Sequence, residues 1–437
     1  MSNTIAVEDL RVGMFVMLDG GWLSHPFPLS NFRIDNAAQL QTIRSLGVQR
    51  VRWCPEKSDS PDPAAGAATA FAEDVATEAA TADHQAAARR QGVGEEDMLR
   101  QRRRQLQAQI ESSQRCERQH AEAAKAWREV MEPAHAQPRE AAAKSERLVR
   151  ALLDKMLVEQ DIGIRLMAGS GDRAASHALN VGVISLLIGR TLGMVEADLL
   201  DLGIGALMHD IGKLEVVDRF RHAEDGFNPN ELAAYRDHVA KGVAVGQRMG
   251  LSARALRVLA QHHEHTDGTG FPLKLAGERI TLAARIVALV NRYDNLCNPQ
   301  SRTPPVTPHE AVSLLFAQGR NRFDPLVLNT FIRMMGVYPA GSLVQLTDDR
   351  FALVVGVNSS RPLKPWVLVH ESGVPRHEAL VLDLETQPNL GIRRSLPAAR
   401  LPAAAIEYLD PRPRVSYYFE PLERPAAEGG QAVELAA

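Results

Sequence analysis

Seven of the fourteen histidines in this chain lie between His177 and His265, a density that ordinary surface composition does not produce. Neutral imidazole and carboxylate are ligands for iron, manganese or zinc. The most informative stretch is Ala206-Leu207-Met208-His209-Asp210-Ile211-Gly212-Lys213, where an adjacent His and Asp end an apolar helix at a glycine turn. Two adjacent ligands at a helix end can serve two neighbouring ions. Lys213 would then stand close to any metal-bound anion. The second stretch is Gln261-His262-His263-Glu264-His265-Thr266-Asp267-Gly268-Thr269-Gly270-Phe271-Pro272, a helix running into a loop whose two glycines allow close backbone approach. His177 falls on an amphipathic helix ending near Leu192, and His238 is expected in mid-helix. A lone buried histidine is usually satisfied by a hydrogen bond, so it is the combination that points to metal chemistry. His222, His265 and His309 read as surface or capping-region residues.

Those residues need a frame, and residues 144–336 supply helix start and stop signals one after another. Asn228-Pro229-Asn230-Glu231 places Asn at an N-cap, Pro at the first helical position and Glu at the third, the pattern of a capping box. Thr307-Pro308-His309-Glu310 repeats it. Asp324-Pro325 opens a last helix that Gly336 can close. The fold class expected is multidomain: an all-α region over 144–336, a small α+β domain over 1–56, and a small antiparallel β domain over 337–420. In the first of the flanking domains a helix from about Ala37 to Leu46 is followed by a strand in which Val51 and Trp53 share one face, Arg50 and Arg52 the other. Residues 57–143 are rich in Ala, Glu, Arg and Gln and read as a helical arm or linker. A heptad reading of that arm puts too many polar residues on its seam for an isolated coiled coil, and Trp127 alone argues for a packing role. Residues 421–437 read as a disordered tail. The strands after residue 340 carry no grouping of ligands or nucleophiles. They are expected to regulate or dock, leaving about Lys144 to Pro339 to carry the chemistry.

Composition narrows the function classes. The 437 residues hold 50 Lys and Arg against 53 Asp and Glu, a net charge of −3, so no global field draws the chain to a nucleic acid polymer. No run of 18 apolar residues is present and the N-terminus lacks a basic and apolar leader pattern, so no membrane insertion and a cytoplasmic location are expected. Cys54, Cys116 and Cys297 are far apart and read as reduced structural thiols.

Taken together, His177, HDIGK at 209–213, His238, HHE with DGTGFP at 262–272 and AARIVALVNRYDNL at 283–296 resemble the HD-GYP family, a subset of the HD superfamily of metal-dependent phosphohydrolases. The resemblance covers about residues 145–336. Residues 4–54, with GMFV at 13–16 and WLSHPFP at 22–28, look like the small uncharacterised domain often found ahead of HD-GYP domains. The resemblance implies hydrolysis of cyclic di-GMP, to the linear dinucleotide or to GMP, by a hydroxide bridging two divalent transition-metal ions, usually iron or manganese. Carried over by position, one ion would be held by His177, His209, Asp210 and Asn291, and the other by Asp210, His238, His262 and His263. Asp210 would bridge them as a catalytic residue. Lys213 would stabilise transition-state charge, and Gly268, Gly270, Phe271 and Arg302 would contact substrate.

Several positions depart from the family pattern. Asn291 stands where the family usually has Asp, and Phe271 where it has Tyr. Arg173 occupies the position of the Glu that accompanies a third metal, so two ions are expected. Gln300 and Thr303 replace basic substrate-contacting residues, with Arg302 between them. Two readings therefore follow: a cyclic di-GMP phosphodiesterase, or a catalytically weak or inactive sensor of a nucleotide that docks a signalling protein partner. A homodimer is open to either.

Overall fold

The computed structural model describes residues 3–18, 31–34, 37–45, 48–58, 82–158, 161–169, 171–222, 226–301, 303–319 and 321–422. WLSHPFP, Arg302, most of the Ala-rich stretch before residue 82 and nearly all of the expected tail lie outside these residues. The chain forms two compact units, Met1–Gly21 with Leu29–Ser113, and Trp22–Pro28 with Gln114–Ala437.

The first unit contains strands β1 (Asn3–Ala6), β2 (Phe15–Met17) and β3 (Asn31–Arg33), helix α1 (Ala37–Ser45) and strand β4 (Arg50–Cys54). The strands form one antiparallel sheet in the order β1-β4-β2-β3. The alternation read in β4 is present: Val51 is buried while Arg50 and Arg52 face solvent. Helix α2 (Ala82–Met131) begins in this unit and ends in the second.

The second unit continues with α3 (Pro138–Val158), β5 (Ile162–Leu166), α4 (Arg173–Thr191), α5 (Glu196–Met208), α6 (Pro229–Arg236), α7 (His238–Met249), α8 (Ala253–Gln261), α9 (Leu282–Cys297), α10 (Pro308–Gln318) and α11 (Pro325–Met335). Both expected capping boxes are formed, at Asn228 with Glu231 and at Thr307 with Glu310. Each side-chain cap contributes about 1 kcal/mol. Asp324 caps α11, and Gly336 ends it at a φ of 76° that a Cβ would oppose. Helix α4 is buried along nearly its whole length, from Ala175 to Gly189, because α5, α9 and α11 pack around it. The end of α2 belongs to this core rather than to a solvated linker. Trp127 is buried and its indole N–H donates to Leu207 O at 3.1 Å.

Then follow β6 (Leu343–Leu346), β7 (Phe351–Asn358), β8 (Trp366–Val369), β9 (Val381–Asp383), β10 (Ile392–Ser395), the short helix α12 (Ala403–Leu409) and β11 (Tyr417–Pro421). The sheet runs β10-β6-β7-β5-β11, with β8 paired to β7 and β9 to β8. The packing does not divide near residue 337, where the sequence suggested a boundary. Strand β5, inside the span expected to be all helix, lies between β7 and β11, with Ile164 opposite Val357 on one side and Phe419 on the other. One apolar core runs through Leu186, Val258, Tyr293, Val354 and Tyr417, joining helices and sheet. No helix among the described residues is long and apolar enough to cross a membrane.

Candidate metal centre

Four helix ends and faces deliver the centre. His209 and Asp210 directly follow α5, and a 3-10 turn over Ile211–Glu215 carries the chain away. A Cβ on Gly212 would lie 1.9 Å from His238 O and 2.3 Å from Gly242 N, so only glycine lets this turn sit against the start of α7. That contact sets His238 beside Asp210. His238 is the first residue of α7 rather than a mid-helix residue, because the helical run breaks at Asp237, which closes α6 and precedes α7. His262 and His263 follow the end of α8, and His177 projects from α4.

The ring nitrogens are oriented by their outer hydrogen bonds. Nδ1 of His209 donates to Ala206 O at 2.8 Å, Nδ1 of His238 to Tyr235 O at 2.5 Å, and Nδ1 of His262 to Leu259 O at 2.8 Å. A carbonyl can only accept, so each Nδ1 carries a proton and each ring turns its Nε2 inward. His177 is held the same way by a carboxylate, with Nδ1 donating to Asp294 Oδ2 at 2.6 Å. The inward nitrogens crowd together: His177 Nε2 lies 3.1 Å from His209 Nε2, and His238 Nε2 3.4 Å from His262 Nε2. Such close approach of ring nitrogens is favourable only where a proton or a cation lies between them.

Asp210 divides this crowd in two. Its Oδ2 is 3.6 Å from His177 Nε2 and 3.4 Å from His209 Nε2, while its Oδ1 is 3.7 Å from His238 Nε2 and 3.9 Å from His262 Nε2. The donor atoms form two groups, His177 with His209 and Asp210, and Asp210 with His238, His262 and His263, each spanning no more than 4.8 Å. Asp210 Oδ1 and His263 Nε2 are buried without a hydrogen-bond partner. Orphaned acceptors in a dry pocket are costly unless a ligand satisfies them, and a nitrogen-rich set with one carboxylate suits a borderline transition-metal ion. The residues present therefore fit the expected metals.

Electrostatics agree. Burial lowers the proton affinity of His262 and His263 well below the ordinary imidazole range, reinforced by the neighbouring histidines, which leaves their lone pairs free at neutral pH. Burial also opposes charge on His177, but the hydrogen bonds and charges of Asp210 and Asp294 outweigh it and raise its pKa to about 9. Asp210 is held well below the carboxylate range, because Lys213 and the adjacent histidines overcome the cost of burying it. A place that stabilises an extra proton on an imidazole is a place that stabilises a cation.

A second layer, which the sequence did not single out, fixes the first. Asp294 Oδ1 accepts from Asn180 Nδ2 at 2.7 Å and from Asn298 Nδ2 at 2.8 Å. Both asparagines also hold the segment before β11: Asn298 pairs with the Val415 peptide in both directions, at 2.8 and 2.9 Å, and Asn180 Oδ1 accepts from Tyr417 N at 2.7 Å. Such outer partners set ligand orientation and basicity. Glu264 does the same for the glycine loop, accepting from Leu273 N at 2.7 Å and Leu275 N at 2.9 Å. Asp294 lies in a stretch already noted for its family likeness, and Glu264 follows the His pair, but neither spacing nor periodicity assigns them these partners.

Of the remaining expected residues, Arg302 lies outside the described residues. Lys213 Nζ donates to Asp210 Oδ2 at 2.6 Å, which places its charge beside the carboxylate. Gly268 has a φ of 76°, and a Cβ on Gly270 would come within 2.4 Å of His265 N, so both glycines are needed to fold the loop back on the His pair. Phe271 stacks on His263 with ring centroids 4.4 Å apart, and the Arg236 guanidinium lies 5.0 Å from the Phe271 ring centroid. Asn291 is buried on α9, where its Oδ1 accepts from Asn295 Nδ2 at 2.6 Å. A carboxylate could accept the same bond while adding a charge. Asn291→Asp is therefore expected to raise metal retention, read as a slower loss of metal to a chelator; retention equal to or below the parent's would remove Asn291 from the ligand set.

A carboxylate divided between two histidine groups at the end of a helix, inside a helical core, is the site of an HD-type domain. Residues 158–327 match the HD domain, in keeping with the HD-GYP resemblance, and residues 2–154 match the domain of unknown function DUF3391. The DUF3391 match extends beyond the first sheet through α2 and most of α3. Among curated relatives, the chain is 29% identical to cyclic di-GMP phosphodiesterase PA4108 of Pseudomonas aeruginosa, over 84% of this chain and 85% of that one. It is 22% identical to cyclic di-GMP phosphodiesterase PdeB of Borreliella burgdorferi, over 50% of this chain and 59% of PdeB. It is 27% identical to 3'3'-cGAMP-specific phosphodiesterase 2 of Vibrio cholerae, over 36% of this chain and 30% of that protein.

Proposed function

We propose that this protein is a metal-dependent phosphodiesterase that hydrolyses cyclic di-GMP to the linear dinucleotide or GMP, with two divalent transition-metal ions, iron or manganese, per chain. The observation that carries the reading is the division of the Asp210 carboxylate, Oδ2 towards His177 and His209, Oδ1 towards His238 and His262. The activity named for the relatives, above all the one aligned over most of both chains, supports the substrate. Bound at such a pair of sites, the ions would activate water as a nucleophile at neutral pH and neutralise phosphate oxygens. The chain's own residues do the rest. Asp210 and the five histidines would hold the two ions. The carbonyls behind His209, His238 and His262, with Asp294 behind His177, keep the rings from turning. Lys213, held at Asp210, brings a third positive charge to the place where negative charge develops on phosphate. The Phe271 ring stacks on His263 and steadies it beside Asp210.

The second reading, a nucleotide sensor or docking module with little turnover, is favoured by one observation: the amide at Asn291 contributes no charge and its oxygen is already engaged by Asn295. One experiment separates the two. Protein purified without oxygen should contain two transition-metal ions per chain and convert cyclic di-GMP to a linear product. Metal-free protein that cannot be reloaded would overturn the site, and loaded protein that binds cyclic di-GMP without converting it would establish the sensor. Assaying 3'3'-cGAMP alongside tests the choice of dinucleotide.

A further inference from the structure

We infer that a cavity bordering His177, away from Asp210, seats the second, non-reacting phosphodiester of the cyclic dinucleotide, held by Arg173 and by Arg412 and Arg414 from the segment before β11. The inference rests on the proposed cyclic dinucleotide substrate. The cavity has a volume of about 290 Å³ and its wall includes Arg173, Ser176, His177, Gln300, Arg412 and Arg414. The acid on that wall, Asp172, is already engaged, capping α4 through Ala175 N at 3.0 Å and pairing with Arg128 at 3.3 Å. Arg412 lies 3.7 Å from Asp410, which also pairs with Arg376 at 3.1 Å. Arg173 and Arg414 form no ion pair with any described residue. Partial burial and the nearby charge of Arg173 act against the charge on the Arg414 guanidinium and outweigh the favourable charge of Asp294. Guanidinium groups that lack an ion-paired acid, as Arg173 and Arg414 do among the described residues, favour an anion, and their forked donors match phosphate oxygens.

Position makes that anion part of the substrate. His177 is a shared wall: its Nε2 faces Asp210, and the residue also lines the cavity. A cyclic dinucleotide carries two phosphodiesters in one ring, so fixing one on the arginines presents the other to the histidines and Asp210. Arg173 precedes His177 by one helical turn on α4. An acid there would help hold a further cation, whereas Arg makes the same place receptive to an anion. Arg412 and Arg414 are fixed in turn, because the Val415 peptide that follows them is hydrogen-bonded to Asn298, and through Asn298 to Asp294 behind His177.

The test uses the metal-loaded full chain and compares the parent with Arg173→Ala, Arg414→Ala and Arg414→Lys for cyclic di-GMP kinetics and metal content. Each alanine variant should raise KM about tenfold or more, with kcat within about twofold and metal unchanged, and Arg414→Lys should recover part of the loss. Parent KM values in both alanine variants would overturn the proposal, as would a joint fall of kcat and metal content, which marks a structural role. If the parent does not convert cyclic di-GMP, the proposed function fails, and the cavity is decided by inorganic phosphate instead. Phosphate binding that weakens about tenfold in both alanine variants would retain an anion subsite, and binding equal to the parent's would remove it.

Discussion

Asp210→Ala protein is expected to retain about a tenth or less of the parent's metal and to lose at least about 100-fold in phosphodiesterase activity, while its helical circular dichroism persists. The carboxylate is the sole acid in either group of donor atoms and the sole member common to both. Its loss removes the anionic ligand from each position at once and leaves Lys213 without its partner at 2.6 Å. The imidazoles left behind bring no negative charge, and they crowd at 3.1 Å between His177 and His209 and at 3.4 Å between His238 and His262, so neither position keeps enough charge to compete with water for a dication. The fold should survive, because Ile211 and Gly212, not the Asp210 side chain, pack the turn against α7. Parent-like metal content in this variant would show that Asp210 does not join two sites.

The other large effect concerns the end of the chain. A protein ending at Asp410 is expected to be insoluble or to bind no metal, and the same holds for one ending near Pro339. Removing the segment deletes Tyr417, Tyr418 and Phe419, all buried, and uncovers β5 along its register from Ile162 to Leu166. Losing one large buried aromatic costs about 3 to 5 kcal/mol, and three together approach the whole stability of a typical domain. The deletion also removes the partners of Asn180 and Asn298, which leaves Asp294 and hence His177 poorly held. Size-exclusion chromatography with metal analysis decides the matter. A monodisperse, metal-loaded product with parent turnover would return the strands to a purely regulatory part.

This second expectation reverses what the sequence suggests, and the reason is physical. The metal ligands were legible because they sit in local patterns: a His-Asp pair before a glycine turn, and a His pair before a glycine loop. Caps such as Asn228 with Glu231 are local too, and they fixed the helix boundaries. Asp294, Asn180, Asn298 and Val415 act across separations of more than a hundred residues, and an asparagine in a helix gives no sign of which distant peptide it holds. Strand β5 is five residues, IGIRL, between two long helices, too short to declare its period. Trp127 hinted that the arm was more than a linker, yet its partner, a carbonyl on α5, lies 80 residues away. The break before His238 was hidden because Asp237 serves as the end of one helix and the approach to the next without interrupting the polar and apolar pattern.

The pairing of β5 with β11 also imposes an order on biosynthesis. During translation the ligands from His177 to His263 emerge well before residues 417–421, and until those residues arrive β5 lacks one neighbour and Asp294 part of its hydrogen-bonded support. A contact closed over some 250 residues forms late and slowly, since the loop it closes is long. The nascent chain thus exposes histidines able to capture metal while they are not yet arranged to select or retain it. Loading with the correct ions should consequently follow release of the finished chain.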